Sequence, residues 1–300
     1  MARFERRHPA NVEGPWFVDT ACINCDSSRQ CASGLIAEGE EQSVFIRQPE
    51  TPEEILRATR AMLICPVSAI GLHGSVPSTE GIFPVELDSG IFLCGFNSPK
   101  AYGANSYFVR RSAGNFLIDA PRFVPELVRV FEACGGLQDI LLTHRDDVGD
   151  YDRYQAHFGA RVWIHEADRD RAPLATDFWK SLDPTNIRDG LRVVPVPGHT
   201  RGSVVFYFED KHLFTGDSLY WSRTLGDLAA FRSQCWYSWK AQTLSTEKNL
   251  TKLSFGEIWP GHGTRYGAPP DEMHERLLRL VELMKRDDFK LHPRNSNAIW

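Results

Sequence analysis

The chain has 300 residues, 42% of them hydrophobic and 24% charged, and a formal net charge of -5 at neutral pH. This is the balance of a globular protein, long enough for one large domain or for a large and a small one. A mildly acidic chain without a basic stretch excludes nucleic acid as an expected partner, and no apolar run approaches the ~20 residues of a membrane span.

In chain order, residues 1–14 read as a polar extension. The basic opening "MARFERRHPANVEG" is followed by no apolar segment of signal-peptide type, so a cytoplasmic location is expected. A compact unit is expected over 15–74. It holds Cys22, Cys25, Cys31 and Cys65 of the seven cysteines, an odd number that argues against a disulfide framework. Its helix opens at "TPEEILRATRAMLIC", with Thr51 as N-cap, Pro52 in the first helical position and Glu54 completing a capping box. Residues 75–81 lie in the Pro-, Ser- and Gly-rich stretch "HGSVPSTEG" and form a linker.

A second domain is expected over 82–300. Strands are predicted at Gly90–Cys94, Ser106–Arg110, Asn115–Asp119, Asp139–Thr143, Arg161–Ile164, Leu191–Val196, Val204–Phe208, His212–Thr215 and Glu257–Trp259. Amphipathic helices fall in "RFVPELVRVFEACG", in "YDRYQAHFG" and over 270–285, where Met273, Leu277, Leu278, Leu280, Val281 and Met284 make a packing stripe. The alternation of strand and helix indicates a layered α/β domain. Cys94, Cys134 and Cys235, scattered singly among apolar residues, read as small buried hydrophobes.

The polar punctuation of this domain falls at strand ends: "THRDDVGD" after the fourth strand, then "PGHTRGS", "TGDS" and "PGHG". Loops converge at strand ends in layered α/β folds, which makes these ends places for ligands. The gathered side chains are His144, Asp146, Asp147, Asp150, His199, Asp217 and His262, and imidazoles and carboxylates together suit Zn, Fe or Mn. On an extended strand end His144 and Asp146 point one way and Arg145 the other.

The order of these four motifs, with "YGANSYFV" and "NFLIDA" at the early strands, resembles the metallo-β-lactamase fold superfamily over residues 82 to about 285. The resemblance implies an αββα sandwich with His144 and His199 on a first metal, Asp217 bridging two metals and His262 on the second. The sequence departs from the usual His-x-His-x-Asp-His: Asp146 stands for the second histidine, and Val148 and Gly149 fall where the second metal's Asp and His are expected. Either Asp147 or Asp150 supplies the displaced ligand, or the site holds one metal, or none. So carboxylate-rich a set is harder than an all-histidine pocket and favours Fe or Mn comparatively.

"CINCDSSRQC" and the later "CPVSAI" form a Cys-x-x-Cys with a distant Cys-Pro, a pattern suited to iron–sulfur ligation by thiolates. Residues 18–70 resemble single-cluster bacterial ferredoxins, so a small ferredoxin-like α+β domain is expected before the sandwich. The third cysteine position of that family is Ser28 here, and Cys31 follows one helical turn later. The alternatives are a 3Fe-4S cluster on Cys22, Cys25 and Cys65, a 4Fe-4S cluster with Cys31 or Ser28 as fourth ligand, zinc on the cysteines, or a ferredoxin-shaped domain that has lost its cluster.

The leading functional expectation is a metal-dependent hydrolase in which activated water attacks a thioester, lactone, amide or phosphoester, with Asp147 or Asp150 orienting it. The runner-up is an iron-dependent oxidoreductase receiving electrons through the N-terminal unit from an electron-transfer partner. The third is a non-enzymatic metal- or electron-carrying module. Trp236, Tyr237 and Trp239 either wall the substrate pocket or pack in the core.

Overall fold

The computed structural model describes residues 2–188 and 190–287, so the end of the domain expected over 82–300 lies outside the described residues. The chain gathers into two compact units. The first runs to Gln138 and takes in Gly149–Gly159; the second comprises Asp139–Val148 and the described residues from Ala160.

The first unit begins with the small cysteine-bearing fold. Strand Trp16–Val18 pairs antiparallel with Ile70–Leu72, and Ile36–Glu38 pairs with Ser43–Phe45. Helix Pro52–Ile64 starts at the expected capping box, with both reciprocal hydrogen bonds of Thr51 and Glu54 formed. Its Ala58 and Ala61 enter a core with Trp16, Val18, Leu35, Ile36, Phe45 and Ile70, where small side chains let the helix approach the strands closely. Arg29 is buried in this fold. It donates through Nε to Asp26 (2.7 Å) and through Nη1 to Ser43 Oγ (2.6 Å) and Asn24.

The rest of the first unit is an antiparallel meander of Val85–Asp88, Ile91–Leu93, Tyr107–Val109 and Phe116–Ile118. Helices Pro125–Ala133 and Tyr151–Phe158 bring aromatic residues onto it: Phe131 stacks on Phe108 at 4.6 Å between centroids, and Tyr154 follows at 5.9 Å from Phe131.

The second unit contains parallel strands Asp139–Leu141, Arg161–His165 and Asp177–Trp179. It also contains a six-stranded sheet in the order Thr185–Arg188, Leu191–Pro195, Val204–Phe208, His212–Gly216, Glu257–Pro260 and Tyr266–Gly267. Neighbours in this sheet run antiparallel except His212–Gly216 and Glu257–Pro260, which are parallel. Every residue of Val204–Phe208 is buried, which explains an apolar run without alternation. Val205 and Tyr207 belong to a core with Leu250, Phe255 and Met273, Leu277, Leu280 and Met284 of helix Pro270–Arg286, while Leu278 of the expected stripe turns to the surface. On the other face Phe206 meets Trp179, which stacks on Trp163.

The expected strands of the sandwich are all present, most with bounds moved by a residue or two. The sequence reading missed Val85–Asp88, Asp177–Trp179, Thr185–Arg188, the hairpin Tyr220–Ser222 with Asp227–Ala229, and helix Trp239–Ser245. Segments such as "VELD" and "TNIR" have too few apolar residues for periodicity to mark them; pairing at a sheet edge makes them strands.

Removing Arg29 leaves Asp26 buried without its cation, a loss of about 3–5 kcal/mol. Arg29→Leu is therefore expected to lower the denaturant midpoint markedly, followed by circular dichroism. Arg47→Leu, at the exposed pair with Glu54, is expected to shift it far less.

Candidate metal centre

Four strand ends of the second unit deliver the site. His144, Asp146 and Asp147 follow strand Asp139–Leu141, and His199 sits in the turn between Leu191–Pro195 and Val204–Phe208. Asp217 comes directly after His212–Gly216, and His262 just after Glu257–Pro260. All of these but Asp146 are buried.

Two atoms each about 2.1 Å from a tetrahedral ion stand roughly 3.4 Å apart. His199 Nε2 lies 3.4 Å from Asp146 Oδ2 and 3.6 Å from Asp217 Oδ2, and His144 Nε2 lies 3.7 Å from the same Asp217 oxygen. His144 Nε2 and His199 Nε2 are buried atoms that make no hydrogen bond. Such spacing is long for hydrogen bonds and suits a shared cation. A second group forms from Asp147, Asp217 and His262. His262 Nδ1 meets Asp217 Oδ1 at 2.8 Å, and Asp147 Oδ2 stands 3.9 Å from both His262 Nδ1 and His144 Nε2. His262 Nδ1 also meets Asp217 Oδ2 at 3.0 Å, the oxygen that faces His144 and His199, so Asp217 is shared by the two groups.

The titration of these groups follows from the crowding. Burial, with neighbouring His199, depresses the His144 imidazole to about 4, so its lone pair is available at neutral pH. Burial also disfavours the charged form of His199, but Asp146 and Asp217 outweigh it and raise its pKa. Burial opposes ionisation of Asp217 as well; the histidines, His262 foremost, win and hold it well below the usual carboxylate range.

Other residues set the geometry. Thr143 Oγ1 lies 3.0 Å from His144 Nδ1, and a proton on Nδ1 leaves Nε2 as the ligating atom. Asp168, buried in the turn Glu166–Arg171, accepts from Arg145 N (3.1 Å), Gly202 N (2.9 Å) and Thr200 Oγ1. One carboxylate therefore ties the loop of His144 and Asp146 to the loop of His199. Gly261 must be glycine because a Cβ there would stand 2.7 Å from Asp147 Oδ2 and 3.2 Å from Asp217 Oδ1.

Of the residues expected from sequence, His144, His199 and Asp217 come together in one group and Asp147, Asp217 and His262 in the other, while Asp146 stands beside the first group, 3.4 Å from His199. Asp150 does not join either group. In the first unit its carboxylate pairs with Lys100 Nζ at 2.8 Å and accepts from Phe123 N at 3.0 Å, so both oxygens are engaged. Arg145 turns outward to Asp170. Trp239 is core, its Nε1 donating to Met284 O, whereas Trp236 and Tyr237 are exposed. Asp168 escaped the sequence reading, since "EADRDR" has the look of a solvated charged turn and nothing in it marks one carboxylate as buried.

In the first unit Cys25 and Cys65 are buried and Cys22 and Cys31 partly so, none in a disulfide. Backbone N–H groups point at sulfur: Ala69 N to Cys65 at 3.2 Å and Asn24 N to Cys22 at 3.4 Å. Burial pushes the Cys25 thiol up to about 12 and raises that of Cys65. Ser27, beside the substituted third position, donates to Gly103 O at 2.7 Å. Gly103 has φ +87°, and a Cβ on it would meet Cys25 Sγ at 2.9 Å, so the Tyr102–Gly103 turn covers this thiol.

Residues 91–257 match the family profile of the metallo-beta-lactamase superfamily, and residues 18–72 match that of the 4Fe-4S single cluster domain of ferredoxin I. A hydroxyacylglutathione hydrolase of Cereibacter sphaeroides is 33% identical over 158 residues, 51% of this chain and 60% of that protein. One from Fuscovulum blasticum is 39% identical over 107 residues, 34% of this chain and 42% of that protein. The chain thus spans about two fifths to three fifths of the length of these curated relatives. Among solved structures, the metallo-beta-lactamase FIM-1 of Pseudomonas aeruginosa in its mono-zinc form superposes with a TM-score of 0.50 at 18% identity. It covers 66% of this chain and 93% of its own, a likeness of fold.

Asp168→Ala leaves three donors of the two ligand loops without their acceptor. Chelator competition is expected to give a metal dissociation constant about 10–100-fold higher, with a smaller rise for Asp168→Asn. In the unloaded chain the raised His199 pKa means a proton must leave before an ion binds. Metal affinity is therefore expected to fall as pH drops from 8 to 6, and a pH-independent affinity would contradict this assignment.

Proposed function

We propose that this chain, which belongs to the metallo-beta-lactamase superfamily, is a metal-dependent hydrolase of a small-molecule thioester. The observation that carries the reading is the meeting of His144, His199 and Asp217 at ligand spacing, with Asp146 3.4 Å from His199 and with Asp147, Asp217 and His262 alongside. The choice of a thioester over a lactone, amide or phosphoester rests on the relatives named hydroxyacylglutathione hydrolase. Disulfide-free cysteines suit a reducing compartment, in keeping with a cytoplasmic location.

Divalent ions held there supply Lewis acidity toward a carbonyl oxygen and lower the pKa of water. The chain's own part is positional. Asp217 spans the two groups, Thr143 keeps the His144 lone pair inward, and Asp168 fixes the separation of the two histidine loops. Asp147, facing both His144 and His262, is the carboxylate suited to orient the attacking water and take up its proton. Asp146 is the half-exposed member of the set, and the substrate carbonyl approaches from its side.

An iron-dependent oxidoreductase is the second reading. Its support is the match at 18–72, together with the N–H groups aimed at Cys22 and Cys65. Here Cys22, Cys25 and Cys65 hold an iron–sulfur cluster, with Cys31, at the end of helix Ser27–Cys31, as the candidate fourth ligand.

His144→Ala and Asp146→Ala are each expected to lose bound metal and to lower thioester hydrolysis by at least about 100-fold, whereas Arg145→Ala keeps both. Elemental analysis beside a thiol-release assay reads this out. Full metal content in both ligand variants would overturn the assignment. Protein prepared without oxygen is expected to contain iron and acid-labile sulfide in a Cys25-dependent manner; absence of both removes the second reading.

A further inference from the structure

Large apolar side chains exposed beside a polar centre need a reason, because their burial would be favourable. Trp236 is 66% exposed and Tyr237 52%, in a segment laid against the His199 loop. Trp236 N donates to His199 O at 2.9 Å, Tyr237 N to Gly198 O at 3.1 Å, and Ser238 N to Gly198 O at 3.0 Å. The backbone beneath the two aromatics is thus fastened to the carbonyls of a metal-ligand loop. The Trp236 ring stands 6.3 Å from the His199 imidazole, tilted by 55°. Trp239, three residues on, is buried with a satisfied indole N–H, so the neighbouring core already has its tryptophan.

We propose that Trp236 and Tyr237 form an aromatic shelf at the metal centre that selects substrates whose acyl group carries a sizeable apolar portion, alkyl or aryl. A rigid aromatic offers large contact area at little conformational cost, and its hydrogen-bonded backbone is organised before the substrate arrives. A short polar acyl group would leave the shelf wet and gain nothing from it. The inference rests on the thioester reading only for the bond that is cleaved; the preference for an apolar group rests on the shelf.

The test uses the metal-loaded full chain and two unreactive thioethers, S-hexylglutathione and S-methylglutathione, with affinity read by calorimetry. S-hexylglutathione is expected to bind at least about tenfold more tightly, since several methylenes leave water. That ratio should collapse toward one in Trp236→Ala, recover in Trp236→Phe, and persist in Leu182→Ala, which removes an equally exposed side chain elsewhere in the fold. A ratio near one in the unsubstituted chain, no binding of either thioether, or a ratio untouched by Trp236→Ala and Tyr237→Ala together would overturn the shelf. Turnover of S-hexanoyl- and S-acetylglutathione is measured separately. Discrimination between thioethers without hydrolysis of either thioester leaves the shelf standing and removes the thioester reading; hydrolysis without discrimination does the reverse.

Discussion

Carboxylates crowded into a low-dielectric interior repel one another unless positive charge lies among them. Asp146, Asp147 and Asp217 are drawn around His144, His199 and His262 in this way, and with neutral imidazoles the set carries three negative charges. A proton on His199 answers part of the repulsion in the unloaded chain. A divalent cation answers it without a proton and meets the buried lone pairs of His144 and His199 at the spacing they already have. Much of the second unit then reads as the means of holding like charges together. Parallel and antiparallel strands end where the ligands begin, Asp168 ties two loops with a single carboxylate, and Gly261 leaves room where two acidic oxygens approach.

How far the centre could be read in advance depended on the kind of residue. His144, His199, Asp217 and His262 stand in short motifs at strand ends, where polarity interrupts an apolar run, and the strands were visible from that same contrast. Asp146 was expected beside His144 from its two-residue offset, and in the fold it faces His199. The choice between Asp147 and Asp150 did not follow, because it depends on backbone direction after Asp146 and on Lys100 and Phe123, distant in sequence, engaging Asp150. Asp168 illustrates the general limit: a buried acceptor in a charged turn has no local mark, and only the donors that reach it from Arg145, Thr200 and Gly202 reveal its role.

In the small N-terminal fold, local rules were sufficient for the helix and its cap, since Thr51, Pro52 and Glu54 act within one turn. They were insufficient for Arg29, whose partners Asp26, Asn24 and Ser43 assemble only after the hairpin has closed. The serines after Cys25 show the same dependence on tertiary structure. Ser27 is committed to Gly103 O, which keeps the cysteine loop in its fold through a contact that no spacing of cysteines could announce.

The turn at Tyr102 and Gly103 also bears on which cysteines of the unit stay open to reagents. Cys25 lies beneath that turn, with Tyr102 Oη donating to Ile23 O across the same loop and the thiol's ionisation suppressed by burial. A thiol so enclosed reacts slowly with metal donors, oxidants and alkylating agents alike. In the folded chain solution reagents therefore reach the partly exposed Cys22 and Cys31 ahead of Cys25.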